Sequence, residues 1–307
     1  MSRSAEVMIA REHNRDALRR DLAAGVLLRT RRGAYVRAAD LDAREKEIAR
    51  IRSVSRQLAA PHTVGFASAA VVYGAPLWQP PGRVHVYVAS SGSSRSAKDV
   101  ARHVTDVPPE QAVVRALPVT TVMRTVVDCA LTMHPLESLV IADWAVGRRG
   151  LDREEALELV RARRRPNGKA TAELVLRMAA AGVRSPRETW LRYLTQREGL
   201  PVPVVEPPIA TRLGVFHCDL GWPEHGVYAE FDGLVKYRDD GVRPGHSGAK
   251  ELIEEKRRFD AIRETGANPI RVTVKDDPRQ AMARLKSAFP PELRATFRPH
   301  PRLPWPP

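Results

Sequence analysis

Cysteine is nearly absent: Cys129 and Cys218 are the only two in 307 residues. That is too few for a disulfide framework or a cysteine-built zinc site, and it fits a reducing compartment where each thiol is a small apolar side chain. Aromatic residues are scarce as well, at 6%, although 43% of the chain is hydrophobic and a sizeable core can form. Long apolar runs are missing, with nothing near the ~18–20 residues a membrane span needs. The opening MSRSAEVMIAREHN meets its acids before any long apolar segment, which argues against a secretory leader. No repeat is visible, and no nucleophile triad, Walker loop or zinc motif has the required spacing. The expectation is a cytoplasmic protein with no membrane association. Sequence leaves its oligomeric state open.

Negative charge is in deficit: 36 Asp and Glu stand against 50 Lys and Arg, a net +14. A field of that sign draws polyanions and makes their binding salt-dependent, so DNA is the expected partner. A GC-rich coding genome, which enriches Arg, Ala, Val and Pro together, is the other source such a balance can have.

The length allows two or three domains, and the pattern predicts an α+β, multidomain chain. Residues 1–58 read as a winged helix-turn-helix. Leu18 and Leu22 share one face of a helix over 15–25 that stops at Gly25, and strands over 26–30 and 34–38 flank Arg31-Arg32-Gly33. Eight arginines lie between 11 and 37 against three acids. In this reading residues 15–24, carrying Arg15 and Arg19, enter a major groove while Arg29, Arg31 and Arg32 meet phosphate. The alternative is a small helical cap whose arginines are simply solvated.

Residues 60–165 form a middle α/β region that ends in a basic run over 161–168. Helices are predicted over 65–74, 120–133 and 136–147, and a half-buried strand over 83–90. His85 and His103 read as surface residues of strands rather than ligands. Residues 184–288 have the order αβββαβ and a last helix. A helix over 185–199 has Ser185 as its cap, Pro186 next and Glu188 in its first turn. Strands follow over 202–207, 214–220 and 226–233, then a Gly-rich loop over 241–248, a charged helix over 249–266, a strand over 269–274 and a helix over 278–289. A Pro-rich tail, 289–307, closes the chain, with 299–307 expected to be extended or disordered.

The acids of this third segment carry the chemistry. In GVYAEFDG, Val227, Ala229 and Phe231 point to one face of a strand and Tyr228, Glu230 and Asp232 to the other. Asp219 ends the preceding strand, so a hairpin brings it beside Glu230. Converging carboxylates repel unless a cation sits among them, and oxygen donors with open positions suit Mg²⁺ or Mn²⁺. Such an ion activates water and stabilises charge on a phosphoryl group, which a basic chain would attract. Metal-dependent phosphodiester hydrolysis is the chemistry these parts fit.

The run SPRETW…REGLP…HCDLGWPEHGVYAEFDG…EEKRRFDAIRETGANPIRVT resembles the small domain related to very-short-patch-repair endonucleases, within the PD-(D/E)XK superfamily. That resemblance implies a restriction-endonuclease-like core over about 100 residues. It matches Glu188 to the family's helical acid, Asp219 to its metal-binding Asp and Glu230 to the acid of the next strand. Two positions depart from the pattern. Asp232 stands where the superfamily has Lys, as this subfamily commonly does, and Lys236 stands where the subfamily has His. Lys236 would contact the scissile phosphate or its water; otherwise the site has kept binding and lost catalysis.

The front of the chain is similar to AbiEi-type antitoxin and regulator proteins. The matching residues are Arg32, Gly33 and Tyr35, then Ser68, Ala69, Ala70 and Gly74, then the LPVTT…RT..D stretch from Leu117 to Asp128. This resemblance implies DNA binding, operator autoregulation and a cognate toxin as partner.

Plainer roles stand beside these. Glu188 has a full role as a capping acid, Asp232-Gly233 as a turn, and Arg258 and Arg263 as a solvated helix face rather than phosphate contacts. Arg271, on the final strand, is placed to neutralise acids. The readings therefore number three: a metal-dependent endodeoxyribonuclease with an attached DNA reader, a non-catalytic DNA-binding regulator of antitoxin type, or a protein-partner module with no DNA affinity.

Overall fold

The computed structural model describes residues 6–38, 41–90, 97–105, 109–164, 167–232, 248–267 and 269–307, with backbone alone for 248–252. The chain divides into two compact units, Met1–Ala179 and Ala180–Pro307. Each mixes helices with sheets, so the architecture is α+β and multidomain.

The first unit opens on a small antiparallel sheet. Strand β1 (Val7–Ile9) pairs with β3 (Ala34–Arg37), which pairs with β2 (Leu27–Arg31). Between β1 and β2 lies α1 (Arg15–Ala23), started by the Asn14 side chain, which accepts from the backbone N–H of Asp16 and Ala17. Arg32 and Gly33 make the β2–β3 turn, and Gly33 holds φ at +73°, a conformation that favours glycine. One α-helix precedes this hairpin among the described residues. The place of a second is taken by β1 and a single 3₁₀ turn, Ala10–Glu12. Val7 and Ile9 are committed to the sheet's core, and Asn14 caps α1 five residues on, so no length is left for another helix.

Helix α2 (Ala43–Gln57) starts from a reciprocal cap in which Asp42 and Glu45 bond each other's backbone N–H. It gives Ala49 to the small sheet's core and Ile48, Ile51 and Val54 to the next core, so the two cores share one helix. The second core lies on a five-stranded mixed sheet of β4 (His62–Val64), β5 (Val84–Val88), β6 (Val100–Val104), β7 (Gln111–Val114) and β8 (Leu117–Thr120), in the order β6-β5-β4-β8-β7. Helix α3 (Phe66–Tyr73) packs on it, as do residues of α2. Helices α4 (Val122–Thr132), α5 (Pro135–Arg149), α6 (Arg153–Ala162) and α7 (Lys169–Met178) complete the unit. The basic run at 161–168 does not end the unit: its first two residues close α6, and α7 follows and buries Ala172, Val175 and Leu176.

The second unit runs α8 (Pro186–Arg197), β9 (Val204–Val205), β10 (Pro208–Thr211), β11 (Gly214–His217), β12 (Leu220–Trp222), β13 (Val227–Asp232), α9 (Gly248–Glu264), β14 (Ile270–Thr273), α10 (Pro278–Ser287) and α11 (Pro291–Arg294). Its main sheet has the order β14-β13-β12-β9, with β12 and β13 antiparallel and β13 and β14 parallel across the α9 connection. Alternation predicts one strand over 214–220, but the structure has two. β11 pairs with β10 in a separate hairpin, and after Cys218 and Asp219 the chain enters the main sheet as β12. The predicted strand at 202–207 shrinks to two residues, with Pro203 and Pro207 lacking ladder donors and Glu206 leaving extended backbone at φ +51°.

The Pro-rich tail is extended, one of the two expected outcomes, and it is docked rather than disordered. Leu303 is buried, the Tyr193 hydroxyl donates to the Pro304 carbonyl at 2.7 Å, and His300 N–H donates to the Arg197 carbonyl. Trp305 lies under the guanidinium groups of Arg197 and Arg279, 3.8 and 5.0 Å from its ring centroid. A Cβ on Gly199 (φ +75°) would run into the Arg298 carbonyl, so glycine there serves both the helix stop and the tail's close approach. No helix among the described residues is long and apolar enough to cross a membrane.

Candidate functional site

The second unit carries an acid-lined cleft of about 390 Å³. Strand β13 supplies its floor. Glu230 and Asp232 project from one face, and the parallel register sets Glu230 beside Arg271 of β14. Asp219 arrives from the bend between β11 and β12, and α9 contributes Glu255 and Arg258 along one wall. Arg184, just before α8, completes the polar lining.

Asp219 is half-buried. Its Oδ2 accepts from the Phe231 N–H at 2.7 Å, which fixes the carboxylate against β13. Burial, then the negative charges of Glu188 and Glu230, outweigh that bond and Arg258, and the carboxyl is pushed up to about 6. Glu230 is buried, and its Oε1 accepts from Arg258 Nη2 at 2.6 Å. The same nitrogen donates to the His217 carbonyl at 3.0 Å, and the Arg258 guanidinium lies over the Phe216 ring at 5.6 Å. Arg271 binds Glu255 at 2.6 Å and reaches Asp232 at 3.8 Å, so it does neutralise acids, as its strand position predicts. Burial, with Glu230 next, pushes the neighbouring Cys218 thiol upward, which leaves it an inert apolar group.

Glu188 accepts from Arg184 N–H at 2.8 Å and from the Ser185 hydroxyl at 2.9 Å, while Ser185 Oγ accepts from Glu188 N–H at 3.2 Å. Its capping role is therefore realised, and it still stands near enough to act on Asp219. Arg263 is exposed on α9 and does not line the cleft. Lys236 and the Gly-rich loop lie outside the described residues apart from Gly248, which opens α9.

The expected gathering of three carboxylates round one ion is not formed. Among the described residues no group of three His, Cys, Asp or Glu side chains could hold a metal as it stands. Glu230 instead takes its cation from the chain itself, the Arg258 guanidinium. The donor chemistry nevertheless suits a hard divalent ion: the near acids are oxygen donors, and burial, with Glu188 and Glu230 close by, disfavours the charge on Asp219 that such an ion would stabilise.

In the first unit Arg15, Arg19, Arg29 and Arg32 are exposed. Arg31 is not placed to meet phosphate. Its guanidinium donates from Nη2 to Asp99 Oδ1 at 3.1 Å and pairs by charge with Oδ2, 2.9 Å from Nε, with its side chain 12% exposed.

A second polar cluster is not legible as a unit in the sequence. Asp128, buried in α4, accepts from the Tyr87 hydroxyl at 2.6 Å, from Arg124 Nε at 2.8 and 2.9 Å and from Arg163 Nη2 at 3.0 Å. The four-residue spacing of Arg124 and Asp128 on one helix is the signal that could have found part of it. Beside it, His85 and His103 meet at 3.0 Å across parallel β5 and β6, and Phe66 stacks on His103 at 4.0 Å. Burial, then the nearby His103, Arg83 and Arg50, push His85 down to about 4. These two histidines are a paired, partly buried contact rather than surface residues. Both oxygens of Asp128 are fully bonded, so this cluster reads as a lock between sheet and helices.

No family model matches the chain. It is 26% identical over 162 residues to two Mycobacterium tuberculosis proteins, Uncharacterized protein MT2308 (strain CDC 1551 / Oshkosh) and Uncharacterized protein Rv2248 (strain H37Rv); the match takes in 52% of this chain and 56% of theirs. The chain thus spans little more than half the length of the curated relatives it matches. Among solved structures it is similar to the Rv2827c protein of M. tuberculosis, at a TM-score of 0.36 and 18% identity over 56% of this chain and 71% of that one. The similarity is distant throughout, and no family is assigned by it.

Proposed function

We propose that this chain binds DNA and that its second unit hydrolyses phosphodiester bonds with a divalent ion, Mg²⁺ or Mn²⁺. The observation that carries the reading is one cleft lined by Asp219, Glu230 and Asp232 together with Arg184, Arg258 and Arg271. Acids that can hold a cation stand beside guanidinium groups that can hold phosphate. Asp219 and Glu230 would hold the ion, with Glu188 and Asp232 assisting by negative charge. A bound ion supplies a nucleophilic water at neutral pH and stabilises charge on the phosphoryl oxygens. The arginines bind and orient the DNA backbone, and Phe231 N–H keeps Asp219 turned into the cleft. The resemblance to very-short-patch-repair endonucleases supports this reading, and the work belongs in the cytoplasm, where DNA is.

The hold of Arg258 on Glu230 favours a second reading, a non-catalytic regulator of AbiEi antitoxin type. Such a protein uses its nuclease-like unit as a DNA platform and has a toxin as partner. Supercoiled plasmid with Mg²⁺ or Mn²⁺ separates the two. Cutting by the wild type, lowered about 100-fold or more in Asp219→Ala and Glu230→Ala, is expected if the ion supplies several kcal/mol of stabilisation at ~1.4 kcal/mol per tenfold. Equal inertness of all three proteins, with DNA still shifted, would leave the regulator.

A further inference from the structure

We infer that Arg258 is a latch on the metal-binding carboxylates: it keeps the site shut in the free protein, and DNA phosphate draws it off Glu230, so that DNA and the divalent ion bind cooperatively. The inference rests on the nuclease reading of this cleft and specifies how the site is regulated.

The latch is a single nitrogen with two holds. Arg258 Nη2 bonds Glu230 Oε1 at 2.6 Å and the His217 carbonyl at 3.0 Å, across the mouth of the bend that presents Asp219. A guanidinium there and a divalent ion both need the oxygens of Glu230, and they repel each other. One excludes the other.

Exposure shows which side of the pair can be reached. The Glu230 side chain is 11% exposed and that of Arg258 is 31%, so a strand backbone arriving from solvent meets the arginine first. Phe216 lies beneath the guanidinium and gives it a surface on which to swing. Arg271 offers a contrast: it is held by Glu255 and Asp232 and covered by Phe259, with its guanidinium 4.4 Å from that ring's centroid. Arg271 stays while Arg258 moves.

A phosphate accepts two parallel bonds from a guanidinium, a geometry at least as favourable as the single hold on Glu230. Once Arg258 turns to it, Glu230 is left buried without its cation, beside Asp219 and Glu188. Three negative charges in low-dielectric surroundings then demand a divalent ion. Linkage is reciprocal, so the factor by which DNA strengthens metal binding is the factor by which metal strengthens DNA binding. A protein so built keeps an empty, closed site away from DNA.

The test is Mn²⁺ uptake by the full chain, followed by loss of the free-ion paramagnetic resonance signal. It is run with and without a short DNA duplex, and the duplex's own uptake is subtracted. Wild type is expected to bind Mn²⁺ weakly alone and roughly 10-fold or more tightly with duplex, within the usual range of such couplings. Arg258→Gln is expected to bind at the raised affinity without DNA and to gain nothing from it. Arg258→Lys is expected to fall between, and it decides the matter by the same criteria if the glutamine variant does not fold. Variants that bind Mn²⁺ no tighter than wild type, or keep the full DNA effect, would overturn the latch and leave the nuclease reading standing. No Mn²⁺ uptake by any of these proteins, with or without DNA, would overturn that reading and the latch together.

Discussion

Asp219 sits at the bend where β11 ends and β12 begins, and its environment works against its own charge. Its carboxyl titrates at about 6 in the fold against 3.8 unfolded. Between those values the folded state binds more protons than the unfolded one, so this group's contribution to stability falls as pH rises through that window and is lowest above it. At about 1.4 kcal/mol per pH unit, the charged Asp219 costs the metal-free fold on the order of 2–3 kcal/mol at neutral pH. Asp219→Asn keeps an acceptor for Phe231 N–H and has no charge to bury. Urea unfolding at pH 7.5 is expected to show this variant more stable than wild type, with the gap closing as pH is lowered below 4. A gap that stayed constant with pH would mean that Asp219 is not perturbed by its neighbours. Glu230 carries the opposite lesson: it is more buried, but Arg258 answers its charge.

The β2–β3 hairpin divides its arginines by partner. Arg31 is tied to Asp99, whereas Arg29 in β2 and Arg32 at the turn are exposed. Arg29→Ala with Arg32→Ala is therefore expected to weaken DNA binding broadly and to flatten the salt slope by roughly 1–2, near one for each phosphate left unneutralised. Arg31→Ala is expected to leave that slope unchanged and to cost about 1–2 kcal/mol of stability from one charge-assisted bond and the ion pair around it. Fluorescence anisotropy across a salt series and urea unfolding separate the outcomes, and a slope change in Arg31→Ala alone would reverse the assignment. Helix α1 and both strands were legible because Leu18, Leu22 and the Gly33 turn are local signals. The Asp99 partner was not, since 68 residues separate it from Arg31 and no local pattern joins them. The same limit hid the break at Cys218-Asp219: alternation continues through it, and only the choice of pairing partner shows that β11 and β12 belong to different sheets. The acids themselves were readable, because β13 has period two and its face is set by Val227 and Ala229. What held them was not, because Arg258 and Glu255 reach the cleft from a helix whose charges look uniformly solvated.

At the scale of the whole molecule, each unit closes around contacts that composition disguises. The Pro-rich tail reads as a segment unable to form ladders, and it forms none; it nevertheless buries Leu303 and stacks Trp305 on two guanidinium groups. Deleting residues 299–307 is expected to cost about 3 kcal/mol or more, from one buried leucine, two cation–π contacts and the Tyr193 hydrogen bond. A truncated chain with unchanged urea midpoint would show that the tail rests on the unit without stabilising it.

The acid-lined cleft is proposed to cut DNA. It is tested most directly by incubating supercoiled plasmid with wild type and Glu230→Gln in Mn²⁺, with a mobility-shift lane for each. The expected result is nicked and linear DNA with wild type, intact plasmid with the variant, and DNA binding by both. Intact plasmid with both proteins, or equal cutting by both, would contradict the account.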